Sequence, residues 1–423
     1  MSRRGAAREV AWGVGDQALS SLTNFALAIV VARNVSTEEF GAFTIAFAVY
    51  LIILTVSRAI TTEPLTIRYS TADAAGWRTG ASRATGAALL VGILAGAVVT
   101  GIGFLMRGTL GTVMTVLGLA LPLLLLQDAW RYAFFAARRG RAAFANDLAW
   151  AAALFLFLVL VANVADLSAS TTLVAWAGGA AVAAIFGGYQ ARIVPDVRHA
   201  RSWWREHGDL TPRLATEAAV LSGAYPLVLF AVGGVAGLRA TGALRAAHVL
   251  MNGLHILTYG LQLSAVPEAT RIAQRSPRSL RRFCLVVALV LAAVSVLWTA
   301  LLLMAPDSLG RALLGETWVE AREVILPLGV AATAGGVQAG ALIGLRALAQ
   351  ASRSLLARMS SSVALLAGGV IGAVLGDGLG AAWGLAVGSV VGSSGWWVQL
   401  IRGSPQPSDA ITPAPSLASS LDP

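Results

Sequence analysis

Apolar segments long enough to cross a lipid bilayer recur along almost the whole chain. Of its 423 residues, 57% are hydrophobic and only 12% are charged, whereas soluble globular domains carry about twice as much charge. A helix needs about 20 apolar residues to cross the hydrocarbon layer. Twelve segments reach this length: 12–33, 40–62, 81–105, 110–137, 143–163, 169–193, 214–236, 243–266, 283–305, 324–347, 354–376 and 379–401. The sequence therefore predicts an all-α integral membrane protein with twelve transmembrane helices.

The arginines lie mainly on one side of this predicted arrangement. With the N-terminus in the cytoplasm, the inner segments hold 23 arginines, and the outer loops and flanks hold 6. The cytoplasmic loops of membrane proteins carry such an excess of basic residues. We therefore expect a multi-pass protein of the plasma membrane with both termini in the cytoplasm. The same distribution accounts for the net charge of +10 without a nucleic-acid partner.

The longest inner loop, 194–213, divides the helices into two sets of six. The predicted organisation is an N-terminal lobe at 1–193, this loop, a C-terminal lobe at 214–401 and a disordered cytoplasmic tail at 402–423. The loop mixes arginine with tryptophan, which is typical of the headgroup region of membranes. The residues concerned are Arg198, Arg201, Trp203, Trp204 and Arg205. Two interpretations stay open: a surface anchor on anionic lipid headgroups, and capture of a lipid-linked substrate.

The two sets of helices match each other in register at an offset of 201 residues. Asp16 corresponds to Glu217, and the Gly-Ala-Phe sequence at 41–43 corresponds to Gly-Ala-Leu at 242–244. Because each half holds six helices, both halves enter the membrane from the same side, and a pseudo-twofold axis along the membrane normal relates them. The fold predicted is therefore two pseudo-symmetric lobes of six helices each.

One predicted helix, 243–266, carries a stripe of polar side chains although it is apolar enough to cross a membrane. At spacings of 3, 4, 3, 4 and 3 residues, these side chains share one helical face. The stripe consists of Arg245, His248, Asn252, His255, Tyr259 and Gln262. A cation at bilayer depth costs roughly 3 kcal/mol. We therefore expect the stripe to face other helices or water, not lipid.

Polar residues within three further predicted helices complete a candidate cavity. They are Asp16 and Asn24 on the first helix, Arg58 on the second and Glu217 on the seventh. Together with the stripe, they place the greatest polar load on helices 1, 2, 7 and 8, which are matching members of the two halves. One interpretation is a central polar cavity lined by these four helices. The other is that each charged residue only neutralises a neighbour.

The sequence leaves the pairing of these charges open. Asp128 and Arg131 are three residues apart on the fourth helix, so they could form a pair. Arg58 has no acid within one turn on its own helix, so we expect either Asp16 or an anionic ligand to balance it. Arginine binds phosphate through a planar fork of donors, which favours a phosphate-bearing solute. His248 and His255 could instead titrate and couple movement to protons.

Short motifs near two helix boundaries and in the first two helices carry a resemblance to a known family. They are Ala-Arg at 32–33, Glu-Glu-Phe-Gly at 38–41, Phe43, Leu-Leu-Gly at 313–315, Trp318, Ala321, and the segments 16–24 and 57–64. Together they resemble Wzx-like polysaccharide flippases, of an actinobacterial type, in the MOP superfamily (multidrug, oligosaccharidyl-lipid and polysaccharide exporters). The resemblance implies two six-helix lobes around a cavity that opens alternately to either side of the membrane.

The resemblance also implies a substrate. It implies movement of polyprenyl-diphosphate-linked oligosaccharide from the inner to the outer leaflet for cell-surface polysaccharide. We assign Arg58 and Arg245 to the diphosphate, and Asp16 and Glu217 to charge balance or ion coupling. The sugar hydroxyls are expected to meet Asn252, Tyr259 and Gln262. The expected partners are the lipid-linked glycan and membrane proteins of glycan assembly, and no cofactor or metal is expected.

Two other functions stay open at this point. A cation-coupled exporter of drugs or other small molecules would rely on Asp16 as a buried carboxylate. A membrane glycosyltransferase would use Glu38 or Glu39 in the first outer loop as its catalytic acid. However, Ser36 and Glu39 have the spacing of a helix capping box, which favours a structural role for Glu39. We therefore expect a transporter and not an enzyme.

Overall fold

The computed structural model describes residues 3–70, 72–212, 214–216 and 224–403, and every regular element within these ranges is helical. The long helices carry the apolar segments, as expected where backbone N–H and C=O groups find no water to bond. The elements are α1 (Arg3–Asn34), α2 (Thr37–Ile60), α3 (Thr62–Arg68), α4 (Ala74–Leu105), α5 (Gly108–Ala136), α6 (Gly140–Val164), α7 (Ala169–Ala191), a 3-10 turn (Val197–His199), α8 (Ala200–Glu206), α9 (Ala224–Ala273), α10 (Pro277–Met304), α11 (Asp307–Leu314), α12 (Thr317–Ala347) and α13 (Ala351–Gly403).

Two of these helices are bent into pairs of arms. Helix α9 bends at Gly237, whose φ is 83°, and α13 bends at Gly376 and Asp377, where Asp377 has a φ of 51°. Ten helical stretches in the described residues are long and apolar enough to cross a membrane. With both arms of α9 and of α13 counted separately, the chain has twelve long helical legs, of which the first arm of α9 is described only from Ala224 onward. The prediction of an all-α integral membrane protein is confirmed, and the chain is a multi-pass membrane protein.

The helices form two packed groups, α1–α7 and α9–α13, here called the first and second bundle. The second bundle depends on glycines that recur every four residues late in the sequence. A Cβ added at Gly368 would overlap the carbonyl of Gly384 on the other arm of α13, and one at Gly340 would overlap the carbonyl of Cys284 on α10. Such contacts require glycine, because any side chain would separate the backbones. Cys284 itself is buried in this packing.

The connections lie at two opposite ends of the bundles. We call the end that carries the 3-10 turn, α8, Tyr69 and Ser70 after α3, and the turn 137–139 the linker face. The opposite end carries the turn 35–36 and the bend at Gly237, and we call it the seal face. Because consecutive legs alternate in direction, a residue's position along its helix fixes the face to which it is closer.

Helix α2 ends at the linker face in a backbone break that the sequence explains. Thr61 has φ −126° and ψ −63°, and α3 begins directly after it. Pro64 has no backbone N–H, so α2 could not continue through it without losing a helical hydrogen bond, whereas proline is tolerated in the first turn of α3. The Thr61 hydroxyl donates to the carbonyl of Ser57 at 2.7 Å. The break leaves Arg58 in the last turn of α2.

The expected membrane anchor in the 194–213 loop is wrong for Trp203. This side chain is fully buried, and its ring lies 5.8 Å from that of Tyr69 and 4.0 Å from that of His207. Arg68 holds the same segment through Asp209, at 2.6 Å, and through the carbonyl of Glu206, at 2.8 Å. The tryptophan therefore packs the loop against the first bundle, because its large apolar ring finds an aromatic site there.

Candidate functional site

At the seal face, α2 crosses the second arm of α9 with the two backbones in direct contact. A Cβ added at Gly41 would overlap the carbonyl of Leu238, and one added at Gly242 would overlap the carbonyl of Thr37. Gly41 and Gly242 are 201 positions apart, and so are Thr37 and Leu238. The contact is therefore reciprocal, as a twofold axis between the bundles requires. Its two glycines are those of the sequence repeat.

Polar contacts through α12 reinforce this seal. Glu320 accepts a hydrogen bond from the hydroxyl of Thr37 at 3.0 Å and pairs with Arg239 at 2.5 Å, so that one carboxylate joins α2, α9 and α12. The hydroxyl of Thr317 donates to the carbonyl of Ala32 at 2.7 Å. Asp307 lies nearby, outside the membrane-crossing helices. A hydrogen bond from the indole of Trp318 and the positive charge of Arg322 lower the pKa of its carboxyl group. The seal thus joins both bundles at one face.

Replacing Glu320 by glutamine tests how much the ion pair contributes to the seal. Arg239 is 75% exposed, and such pairs contribute at most about 1 kcal/mol. We therefore expect the ratio of open to closed seal to rise by no more than about fivefold. The distance distribution between spin labels at the exposed residues Glu38 and Val235 measures this ratio. Glu323→Gln, on the same helix and outside any ion pair in the described residues, is the matched control.

Near the linker face, the first bundle buries a pair formed by Arg58 and Asp128. Arg58 donates from Nε to Oδ2 at 2.8 Å and from Nη2 to Oδ1 at 2.5 Å, a bidentate arrangement. Its guanidinium also lies 5.0 Å from the centre of the Tyr132 ring. The sequence left either Asp16 or a ligand to balance Arg58, and the residue that does so is Asp128. The Asp128 side chain is 7% exposed, whereas that of Arg58 is 27% exposed.

A second buried cluster surrounds Arg131. Its guanidinium pairs with Asp16 on α1 at 2.5 Å and with Asp147 on α6 at 3.4 Å. Gln127 donates to Asp147 at 2.9 Å. The proposed pairing of Arg131 with Asp128 on the same helix is wrong, because acids on α1 and α6 approach Arg131 and Arg58 takes Asp128. Each buried arginine is therefore neutralised across helices.

The two clusters together hold one more acid than base. Three carboxylates, those of Asp16, Asp128 and Asp147, face two guanidinium groups. Asp16 is fully buried, and its Oδ1 has no hydrogen-bond partner among the described residues. An uncompensated charge is costly in such surroundings. One further positive charge, whether a bound proton or a cation, would therefore balance the site. We call the five side chains of Asp16, Arg58, Asp128, Arg131 and Asp147 the charge network.

The polar stripe of the second bundle lies on the second arm of α9. Arg245, His248 and Asn252 are each half-buried, while most residues between them are fully buried. Arg245 lies 5.6 Å from the ring centre of Phe47 on α2, so it reaches the interface between the bundles. His248 lines a cavity of about 320 Å³ with Gln338 and other residues of α10, α12 and α13. Arg245 thus contacts a ring of the first bundle, and His248 faces a cavity.

Some predicted site residues cannot be placed. Glu217 and the side chains of His255, Tyr259 and Gln262 lie outside the described residues. Asn24 is half-buried on α1, about two turns beyond Asp16. The structure thus brings Asp16 and Arg58 into the same region of the first bundle, and it places Arg245 and His248 on the second. Within the described residues, no group of three His, Cys, Asp or Glu side chains is arranged to hold a metal ion.

Sequence reasoning missed several residues that complete these sites. Asp147 belongs to the charge network and accepts a hydrogen bond from Gln127, and Thr37, Arg239 and Glu320 belong to the seal. A lone acid inside an otherwise apolar span was the available signal for Asp147. The capping box was interpreted correctly: the Ser36 hydroxyl accepts from the backbone N–H of Glu39 at 3.2 Å.

No protein-family profile and no curated protein matches the sequence. Solved structures do match its fold. An inward-facing multidrug-resistance MATE transporter of the MOP superfamily gives a TM-score of 0.73 at 12% identity, covering 91% of this chain and 94% of that one. The lipid II flippase MurJ, in an inward closed conformation, gives 0.65 at 10% identity, covering 93% and 90%. The chain shares the fold of these two structures.

An outward-facing MATE transporter also matches the fold. It gives a TM-score of 0.58 at 12% identity, covering 94% of each chain, against 0.73 for the inward-facing one. In this chain the two bundles meet at the face that carries Gly41 and Gly242.

Proposed function

We propose that this chain is an alternating-access transporter and that its structure is the inward-facing state. The reciprocal contact of Gly41 and Gly242 carries the proposal, because it closes one face at a repeat-related position that can open without unfolding either bundle. The arginine distribution supports a cytoplasmic linker face. The seal would then lie on the outer side of the plasma membrane, and Arg58, Asp128, Arg131 and Asp147 would lie within about 12 Å of the cytoplasmic ends of their helices.

The proposed substrate is a polyprenyl-diphosphate-linked oligosaccharide, moved from the inner to the outer leaflet. Arg58 supports an anionic headgroup, because only its Nε and Nη2 bind Asp128, and Nη1 has no acceptor within the described part of the chain. This free edge belongs to a side chain that is 27% exposed. A planar guanidinium can bind a carboxylate on one edge and a phosphate oxygen on the other. Arg245 and Asn252 would meet the substrate from the second bundle.

The surplus carboxylate of the charge network favours a second candidate, a cation-coupled exporter. Three acids facing two arginines leave a place for one proton or cation near Asp16. In this version the ion drives the cycle, and Arg58 only neutralises Asp128. The two candidates therefore differ in what Arg58 does, and a charge-matched double variant separates them.

A flipping assay with the pair Arg58 and Asp128 tests the substrate. Arg58→Met alone leaves Asp128 unpaired, so it is compared with the double variant Arg58→Met/Asp128→Leu, which removes both charges. If Arg58 binds diphosphate, the double variant loses the charge-assisted bond to substrate, and flipping falls by roughly 10- to 150-fold. The measurement is transfer of a labelled polyprenyl-diphosphate oligosaccharide between leaflets of liposomes.

As a control for folding, the purified double variant must keep the helical circular dichroism and the elution volume of the parent. Flipping at the parental rate in the double variant would show that Arg58 serves only Asp128, and would favour the cation-coupled exporter. In that case Asp16→Asn should abolish export of a cationic dye that is driven by a proton gradient.

A further inference from the structure

An arginine-lined pocket opens at the linker face of the first bundle, apart from the charge network. It has a volume of about 720 Å³ and lies between the turn after α3 and the turn between α5 and α6. Its polar and aromatic lining comprises Tyr69, Ser70, Asp73, Trp77, Arg78, Arg138 and Arg139. Three arginines against one aspartate give the pocket a net positive charge.

Two of these arginines, Arg78 and Arg139, have no acidic partner among the described residues. Arg78 donates to the backbone carbonyl of Arg192 at 2.6 Å, an uncharged acceptor. Arg139 lies over the rings of Trp77 and Phe134, at 5.8 and 5.6 Å from their centres. Neither forms an ion pair with any residue that the structure describes. The aspartate of the pocket, Asp73, caps α4 by accepting from the backbone N–H of Gly76 at 2.9 Å.

The position of Arg139 over two aromatic rings prepares it to bind an oxyanion. A guanidinium held over aromatic rings presents its N–H groups outward at its edge, and less side-chain entropy is lost when they bind. Phosphate oxygens match this fork of donors. Arg78, on the next turn after the helix cap, adds a second group of donors to the same space. The pocket therefore has the charge and the donor geometry of a phosphate site.

The surroundings favour a lipid over a soluble phosphate. The pocket lies where membrane-crossing helices end, and Trp77 and Tyr69 are the residue types enriched at headgroup level. Ile67 on the adjacent α3 is 53% exposed, so an apolar chain attached to the phosphate would find an apolar side chain beside the pocket. We infer that Arg78 and Arg139 form a binding site for the phosphate headgroup of an anionic membrane lipid. The site does not depend on the transported substrate.

Native mass spectrometry of the full-length protein with phosphatidylglycerol or phosphatidylcholine tests this site. The double variant Arg78→Gln/Arg139→Gln is compared with Arg275→Gln/Arg278→Gln, which removes the same charge from exposed positions at the turn between α9 and α10. Each arginine near an anionic headgroup is expected to contribute about fivefold to affinity, so the pocket variant should weaken phosphatidylglycerol binding by about 30-fold. The control variant should leave it unchanged, and phosphatidylcholine binding should not respond to either.

Three results would overturn the inference. Equal losses in both double variants would mean that general surface charge attracts the lipid. Unchanged binding in the pocket variant would mean that the pocket holds no headgroup. Inorganic phosphate could raise the thermal unfolding temperature of the parent but not of the pocket variant, while phosphatidylglycerol binds both equally. That result would assign the pocket to a soluble anion. Arg139→Lys, which keeps the charge but not the planar fork, should bind at an intermediate affinity and show that the variants still fold.

Discussion

Gly41→Val is expected to hold the seal open and to abolish transport while the protein still folds. Even the first carbon of the new side chain would overlap the carbonyl of Leu238 on α9. Backbone cannot yield as a flexible side chain does, so the two bundles must separate at this face. Overpacking of this kind typically costs about 1–3 kcal/mol. Because that cost falls only on the sealed state, the equilibrium shifts by about 5- to 150-fold toward the open one.

Spin labels at Glu38 and Val235 measure the shift directly. We expect the distance distribution of Gly41→Val to move to longer values, and Gly242→Val to give the same result, because its added carbon would overlap the carbonyl of Thr37. Gly234→Val is the matched control: it lies on the first arm of α9 with no neighbouring atom within 4 Å of an added Cβ. Parental distances in both seal variants would mean that these glycines serve packing alone, and alternating access at this face would lose its support.

Much of the fold could be predicted from the sequence because hydropathy acts locally. Each long leg contains a continuous run of apolar residues, so the predicted spans overlap the observed helices, although α1, α4, α10 and α12 begin six to nine residues before the predicted starts. The repeat at an offset of 201 was also visible, since Gly41 and Gly242 must both be glycine for their backbones to meet.

The partners of the charged residues could not be predicted in the same way. Spacing along one helix reveals only neighbours on that helix, and it suggested Asp128 for Arg131. The observed partners of Arg131 lie on other helices: Asp16 on α1 is 115 positions before it, and Asp147 on α6 is 16 positions after it. The anchor predicted for Trp203 was wrong for a related reason: its loop has the composition of a membrane anchor, but Trp203 is buried against Tyr69, which lies in a different segment of the chain. Both errors concern contacts between segments distant in sequence.

Arg131→Met is expected to destabilise the first bundle more than any other single change in the charge network. The methionine preserves most of the side-chain volume but leaves Asp16 and Asp147 without their cation. Both carboxylates are almost fully buried, with side chains 0% and 2% exposed. Removing one partner of a buried ion pair costs about 3–5 kcal/mol. We expect a large fall in yield and in thermal unfolding temperature, measured in detergent by circular dichroism.

The triple variant Arg131→Met/Asp16→Asn/Asp147→Asn separates the loss of charge balance from the loss of shape. It removes one cation and two acids, so the remaining network holds only the neutral pair of Arg58 with Asp128. Replacing a buried ion pair by uncharged groups of similar volume is often close to neutral, and we therefore expect the triple variant to recover most of the parental stability. If it unfolds as readily as Arg131→Met alone, the guanidinium contributes through packing against Phe135, 5.9 Å from its ring centre, and not through charge. If it recovers stability but transports nothing, the surplus carboxylate belongs to the transport cycle, because folding no longer accounts for the loss.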